Sequence, residues 1–328
     1  MSASCSPSGT GVQKQATPGE RWWIYQKERF PLLAYVPLIA AFSFAAVAYS
    51  ESSRDTNGLP EIRPILTAFV ASLLFFLQLR LADDLKDAED DTHYRPYRPL
   101  PRGLVTVRDL LIAWLGCLLL QTVLALWLSW RLLPLLAITS AYMLVMSNKH
   151  VLRVLGLENW VKRHPALYRA TGPVIVPLIF MYAGACDWFA AGYIAPSSLA
   201  SIVAANYLTA MVIEIGRKVR APEDEELGVE TYSAVFGRRK AVVIWLATML
   251  AAAACACIAA RNGPYTRFVA VVLGVMLLIS GAAGVMFLRH MRPGRGSWIE
   301  ATSRSWALTM YLSLGALPAL LRICGVER

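Results

Sequence analysis

A dense group of acidic residues occupies positions 83–91, where six of nine residues are Asp or Glu, in the sequence DDLKDAEDD. Asp83, Asp87 and Asp91 are spaced by four, so on a helix they lie along one face, with Asp84 beside them. Carboxylate oxygens are ligands for hard cations, and Mg²⁺ is typically held by one or two carboxylates together with substrate phosphates. The spacing therefore favours a divalent-cation site over a charged helix end that only faces water.

Three arginines follow the acidic residues in a proline-rich stretch, YRPYRPLPRG, at positions 94–103. They are Arg95, Arg98 and Arg102. The guanidinium group presents a planar fork of donors that binds phosphate oxygens in pairs. Carboxylates that can hold a metal, followed directly by arginines, indicate a site for a diphosphate.

A second charged segment, EIGRKVRAPEDEE, occupies positions 214–226. It combines carboxylates with three cations, Arg217, Lys218 and Arg220. One explanation is that these cations bind phosphate directly. The other is the ordinary excess of Lys and Arg on the cytoplasmic side of membrane proteins.

The elements that position both segments are long apolar runs. A membrane-spanning helix needs about 20 mostly apolar residues. The sequence predicts nine such spans, at 30–49, 65–81, 110–130, 132–146, 171–193, 197–213, 241–260, 268–288 and 306–321. The two charged segments directly follow the second and the sixth span, which places them on the same side of the membrane.

Composition and charge agree with a membrane protein. Of the 328 residues, 56% are hydrophobic and 16% are charged, which excludes a disordered chain and argues against an ordinary soluble domain. The net charge of +10 could indicate nucleic-acid binding, but 25 of the 32 Lys and Arg residues fall on one side of the predicted spans. This bias predicts a cytoplasmic N-terminus and an outside C-terminus, and no nucleic-acid partner is expected.

The N-terminal residues differ in composition from the rest of the chain. Residues 1–20 are polar and rich in Ser, Thr, Gly and Pro, which is typical of a disordered tail. The aromatic segment at 22–25, followed by Lys27 and Arg29, is typical of an amphipathic helix at the membrane surface. We therefore expect a disordered tail over 1–20 and a single transmembrane domain over 21–328.

The first acidic segment resembles the first aspartate-rich motif of the UbiA superfamily of intramembrane prenyltransferases, NDxxDxxxD followed by RP and G. On this motif Asp84, Asp87 and Asp91 match the acidic metal ligands of the family, and Asp83 replaces the usual Asn. The interval to Arg98 matches the chlorophyll-synthase-like branch without a gap. The resemblance implies an all-α, polytopic membrane fold of about nine helices with its active site on the cytoplasmic side.

The second segment resembles the second motif of the family, DxxxDxxGD followed by Gly and FG, only in part. Gly228, Phe236 and Gly237 match its end, and Asp224 falls on its last aspartate. Glu214 matches the first aspartate only if a short insertion is allowed, and the three cations have no acidic counterpart. We therefore expect these cations to contact the diphosphate and partly replace a second metal ion.

The resemblance, together with the cations of the second segment that depart from it, predicts a specific set of site residues. The expected metal ligands are the carboxylates Asp83, Asp84, Asp87, Asp91, Glu214 and Asp224. The expected diphosphate ligands are Arg95, Arg98, Arg217, Arg220 and Lys162. The residues expected to act in catalysis are Asp84, Asp87, Asp91 and Lys218. Lys162 lies after the fourth span, where relatives place further cations, but the positive-inside bias explains it equally well.

The activity implied by the resemblance is prenyl transfer within the membrane. An allylic prenyl diphosphate would donate its prenyl group to a hydrophobic, commonly aromatic, acceptor, with Mg²⁺ or alternatively Mn²⁺ as the metal. The expected location is the bilayer of a bacterial plasma (inner) membrane, and the sequence indicates no particular oligomeric state. Two alternatives stay open, a UbiA-type terpene cyclase and a non-enzymatic lipid-binding or transport protein, although transport would need ionisable residues near mid-membrane.

Overall fold

The computed structural model describes residues 17–52, 61–147, 149–192, 199–225, 231–261, 265–290, 294, 296–317 and 319. Throughout this part of the chain the regular elements are helices, as predicted. In chain order they are α1 (Pro18–Arg29), α2 (Leu32–Ser52), α3 (Ile62–Lys86), α4 (Ala88–Tyr94), α5 (Val107–Leu128), α6 (Leu133–Ser147), α7 (Lys149–Val154), α8 (Glu158–Arg163), α9 (Pro165–Thr171), α10 (Ile175–Ala190), α11 (Leu199–Arg217), α12 (Tyr232–Phe236), α13 (Arg238–Ala260), α14 (Thr266–Arg289) and α15 (Gly296–Tyr311).

Eight helical segments in the described residues are long and apolar enough to cross a membrane. They coincide with the first eight predicted spans and comprise Leu32–Ser52, Ile62–Lys86, Val107–Leu128, Trp130–Ser147, Tyr168–Ala190, Leu199–Arg217, Arg238–Ala260 and Thr266–Arg289. The ninth predicted span falls on α15, which continues through a π-helical turn at Leu312–Ala316. Residues 318, 320 and 321 of that span lie outside the described residues.

The helix α15 begins ten residues before its predicted span. Its first turns carry an exposed ion pair, in which Arg304 Nη2 lies 2.5 Å from Glu300 Oε1. Charged side chains at this spacing stabilise a helix in water. They also lower the hydropathy of the segment, so it is not predicted as part of a membrane span. The early start of α15 was therefore missed because it is amphipathic.

The helix α1 begins inside the predicted disordered tail. Thr17 caps it, because its hydroxyl accepts from the Glu20 N–H while the Glu20 carboxylate accepts from the Thr17 N–H at 2.8 Å. Pro18 occupies the first helical turn, where its missing N–H costs no hydrogen bond. The predicted boundary at residue 20 is therefore too late by three residues, and residues 1–16 of the tail lie outside the described residues.

The helix of the fifth span changes its hydrogen-bond pattern near its N-terminal end. A 3₁₀ turn at Gly172–Val174 separates α9 from α10, and the N–H of Ile175 donates to the Gly172 and Pro173 carbonyls. The carbonyl of Thr171 instead accepts from Tyr142 Oη at 2.5 Å, and that of Ala170 accepts from Tyr207 Oη at 3.0 Å. Two hydroxyls from neighbouring helices therefore satisfy the backbone at the break, as a membrane interior requires.

The end of α11 is held by close packing against α13 and α15. A Cβ atom at Gly216 would lie 2.0 Å from Ser303 Oγ, so the two helices touch at this glycine. Ser303 Oγ also accepts from Trp245 Nε1 at 2.9 Å. These contacts fix the position of the charged residues that follow Gly216.

Candidate active site

The charged side chains at the end of α3 lie on different sides of the helix. Because consecutive residues on a helix are rotated by about 100°, Asp83 and Asp87 lie on one side, with Asp84 and Lys86 on either flank. Lys86 Nζ donates to Tyr168 Oη at 3.2 Å and lies 3.4 Å from the Met146 carbonyl. Lys86 therefore ties the acidic segment to the region that follows α6.

Asp84 is turned toward α1. It is 4% exposed and accepts from Tyr25 Oη at 2.7 Å and from Arg29 Nε at 3.0 Å, with a second contact from Arg29 Nη2. Burial and the neighbouring Asp84 charge raise the pKa of Tyr25, which keeps its hydroxyl protonated as a donor. Asp84 was predicted as a metal ligand, but the protein itself already occupies both of its oxygens.

Asp83 and Asp87 have no such partners. Within the described residues, neither carboxylate forms an ion pair or a side-chain hydrogen bond. Burial raises the pKa of Asp87, and the adjacent Lys86 opposes that shift. Asp83 is exposed and interacts electrostatically with Arg217 of α11, so this carboxylate lies near the second charged segment. Asp87 instead interacts electrostatically with Arg98 of the proline-rich stretch.

Asp91 is brought together with two predicted diphosphate ligands. It is buried, and its carboxylate lies 3.1 Å from Arg95 Nη1 and 2.5 Å from Arg98 Nη1. The acidic segment and the arginine-rich stretch therefore fold back onto each other. Both guanidinium groups contact Asp91, which lies about one helical turn beyond Asp87 and two turns beyond Asp83.

In the second charged segment, Glu214 forms ion pairs with two cations of the same segment. Glu214 Oε2 lies 2.5 Å from Arg217 Nη2, and Glu214 Oε1 lies 2.7 Å from Lys218 Nζ. Arg220 Nε donates to the Arg217 carbonyl at 3.2 Å, which closes the end of α11. Both cations next to Glu214 keep further donors, because a guanidinium has five N–H groups and an ammonium has three.

Asp224 has a structural contact. Its carboxylate oxygens accept from the backbone N–H of Gly294 at 2.9 and 3.1 Å, which joins the segment after α11 to the segment between α14 and α15. The predicted metal ligands Glu214 and Asp224 are thus each engaged with other groups. The side chain of Lys162 and the position of Gly228 lie outside the described residues.

The residues fit one metal site better than two. The six predicted ligands do not form a single group, and across the described ranges no cluster of three or more His, Cys, Asp or Glu could hold a metal ion. Asp83 and Asp87 nevertheless have free oxygens at adjacent turns of one helix. This is the one- or two-carboxylate set with which Mg²⁺ joins substrate phosphates.

Several site residues were missed by the sequence analysis. Tyr25 and Arg29 were interpreted only as part of a surface helix, although their spacing of four places them on one face and so toward one partner. Arg80 lies 3.9 Å from Asp84. Arg169 was counted only as topological charge, yet it interacts electrostatically with Tyr232, whose pKa is raised by burial and by Glu214.

The sequence profile of the UbiA prenyltransferase family matches residues 34–295. The chain belongs to this family. The match covers both charged segments and eight of the nine predicted spans, and no curated protein sequence matches the chain. The prenyltransferase assignment and the membrane fold expected from the first motif are thereby confirmed.

Solved structures share the fold of this prenyltransferase at low sequence identity. A UbiA homologue from Aeropyrum pernix K1 has a TM-score of 0.62 and 16% identity, covering 86% of this chain and 97% of the homologue. A structure reported for digeranylgeranylglyceryl phosphate synthase has a TM-score of 0.58 and 15% identity, covering 91% and 99% of the two chains. A UbiA homologue from Archaeoglobus fulgidus, bound to GPP and Mg²⁺, has a TM-score of 0.53 and 12% identity, covering 88% and 99%.

Proposed function

We propose that this prenyltransferase moves a prenyl group from an allylic prenyl diphosphate to a hydrophobic or aromatic acceptor. The reaction takes place at the cytoplasmic side of a bacterial inner membrane and depends on Mg²⁺ or Mn²⁺. The observation that carries this proposal is that two carboxylates at the end of α3, unpaired among the described residues, lie near cations, because Asp83 interacts electrostatically with Arg217 and Asp87 with Arg98. The GPP and Mg²⁺ bound to the Archaeoglobus homologue support it.

The first charged segment supplies the metal ligands. Asp83 and Asp87 would hold the ion, with Asp91 one turn further along the same face. A bound divalent cation neutralises negative charge as it develops on the leaving diphosphate. Arg95 and Arg98, both held next to Asp91, would donate to phosphate oxygens. Their fixed positions stabilise the departing charge without rearrangement during the reaction.

The second segment binds the diphosphate through cations. Glu214 forms ion pairs with Arg217 and Lys218, and Arg217 also interacts electrostatically with Asp83. Arg220 stabilises the end of α11. We infer that these cations take over part of the role of a second metal, and that Lys218 contributes most directly to catalysis. Lys162 stays a predicted diphosphate ligand.

The reaction itself breaks the bond between the first prenyl carbon and the diphosphate oxygen. The resulting allylic cation forms a bond with a carbon of the acceptor, which then loses a proton. The apolar helices would exclude water from the allylic cation. Their hydrocarbon side chains also contain no nucleophile that could react with the cation.

Product analysis tests this proposal. Membranes containing the protein are incubated with Mg²⁺ and a radiolabelled prenyl diphosphate, with and without an aromatic acceptor mixture. Label in an acceptor adduct is expected, and it should depend on the added acceptor. A labelled cyclic hydrocarbon formed equally well without acceptor would instead identify a terpene cyclase.

A further inference from the structure

Within the described residues, three charged contacts of unequal burial join helix α1 to other helices and loops. Two are partly exposed, namely Glu28 with Arg102 at 2.8 Å and Arg21 with Asp109 at 3.6 Å. Such pairs contribute at most about 1 kcal/mol each. The third contact joins Arg29 and Tyr25 to Asp84 and is buried. Of these charged contacts, the buried one to Asp84 therefore contributes most to the docking of α1, beside the packing of Trp22 and Tyr25 against the core.

The oxygens of Asp84 have little capacity left. Arg29 Nε lies 3.0 Å from Oδ1 and 3.1 Å from Oδ2, and Tyr25 Oη lies 2.7 Å from Oδ2. If Asp84 turned to a metal ion, the Arg29 charge and the Tyr25 hydroxyl would lose their buried partner. Removing one member of a buried ion pair is strongly destabilising. Neither Asp83 nor Asp87 would face this cost.

We propose that Asp84 is a positioning residue that fixes α1 against the end of α3, and that it is not a metal ligand. Arg29 also interacts electrostatically with Asp91, so α1 lies alongside the acidic segment over two turns. The chain passes from α1 into α2 through Phe30 and Pro31, which couples the docked helix to the bundle. The role of Asp87 as the contrasting metal ligand rests on the proposed function.

The test combines four variants of the full-length protein in nanodiscs. Asp84→Asn and Arg29→Gln remove the buried ion pair, Tyr25→Phe removes one hydrogen bond, and Asp87→Asn removes a free carboxylate. Glu28→Gln is the control, because it removes an exposed pair on the same helix. Amide hydrogen exchange of residues 18–29 reports on docking. Electron paramagnetic resonance of Mn²⁺, with geranyl thiolodiphosphate present as an unreactive analogue, reports on metal binding.

We expect Asp84→Asn and Arg29→Gln to speed α1 exchange by about tenfold or more, as the loss of a hydrogen bond to a charged group implies. Tyr25→Phe should speed it less, and Glu28→Gln should leave it unchanged. Mn²⁺ affinity should stay within about twofold in Asp84→Asn and Arg29→Gln, whereas Asp87→Asn should lower it at least about tenfold with α1 still protected.

Two results would overturn the proposal. One is a loss of Mn²⁺ affinity in Asp84→Asn as large as that in Asp87→Asn. The other is unchanged α1 exchange in Arg29→Gln, a variant that keeps every carboxylate and so serves even if Asp84→Asn fails to fold. Failure of the proposed function is recognised separately, because wild-type protein would then bind no Mn²⁺ while the exchange measurements still decide the role of Asp84.

Discussion

At the residue scale, neighbouring acids in one short segment have different partners. Among the described residues Asp83 and Asp87 have no side-chain partner, whereas Asp84 is bound by Arg29 and Tyr25, and Asp91 by two arginines. The spacing of Asp83, Asp87 and Asp91 predicted their common face. The sequence could not predict the partners of Asp84, because Arg29 and Tyr25 lie 55 and 59 residues away.

Lys218 provides a residue-scale prediction. Replacing Lys218 with Met should raise the KM for prenyl diphosphate by about tenfold or more, because one charge-assisted contact to phosphate is lost. The Mg²⁺ concentration for half-maximal activity should change little. Steady-state kinetics at varied substrate and Mg²⁺ measure both quantities.

The control for this prediction is Lys240→Met, which removes the same charge from an exposed position at the start of α13. This variant should behave like the wild type. Equal effects of Lys218→Met on the prenyl diphosphate KM and on the Mg²⁺ requirement would contradict direct contact between Lys218 and the diphosphate.

At the element scale, hydropathy predicted the positions of the membrane spans, but it did not predict where α15 begins or where the fifth span contains a 3₁₀ turn. Long apolar runs predicted eight spans that the structure contains, because lipid demands about 20 apolar residues per crossing. The early start of α15 was missed since Glu300 and Arg304 interrupt its apolar character. The break at Gly172–Val174 depends on hydroxyls from two other helices, which no local pattern reveals.

The contact between α11 and α15 gives an element-scale prediction. Gly216→Ala should destabilise the protein by about 1–3 kcal/mol, because the added methyl group overlaps Ser303 Oγ. Gly281→Ala on α14 is the matched control, since no heavy atom lies within 4 Å of its added Cβ. Thermal unfolding in detergent compares the two, and equal melting temperatures would show that α11 and α15 do not touch at Gly216.

At the scale of the whole molecule, charge distribution and site position agree. The basic residues that predict orientation lie at the same membrane side as the ends of α3 and α11, where the candidate site is found. Apolar runs and charge counts sufficed to predict this common side. They could not predict which charges meet, because those contacts join helices that are distant in sequence.

Orientation in the membrane is testable with introduced cysteines. In a background lacking the six native cysteines, Glu20→Cys should be protected and Arg261→Cys labelled by a membrane-impermeant maleimide added to intact cells. The positive-inside bias places Glu20 in the cytoplasm and Arg261 outside. The reverse labelling pattern would contradict the assigned orientation.

The proposed function requires that the free carboxylates of the first segment support metal-dependent prenyl transfer. The most direct test is transfer of label from a prenyl diphosphate across a Mg²⁺ titration, with wild type, Asp87→Asn and Glu89→Gln compared. Glu89 is an exposed acid of the same segment and serves as the control. Activity should require Mg²⁺, fall at least about a hundredfold in Asp87→Asn and stay unchanged in Glu89→Gln. Full activity of Asp87→Asn at every Mg²⁺ concentration would contradict the proposed function.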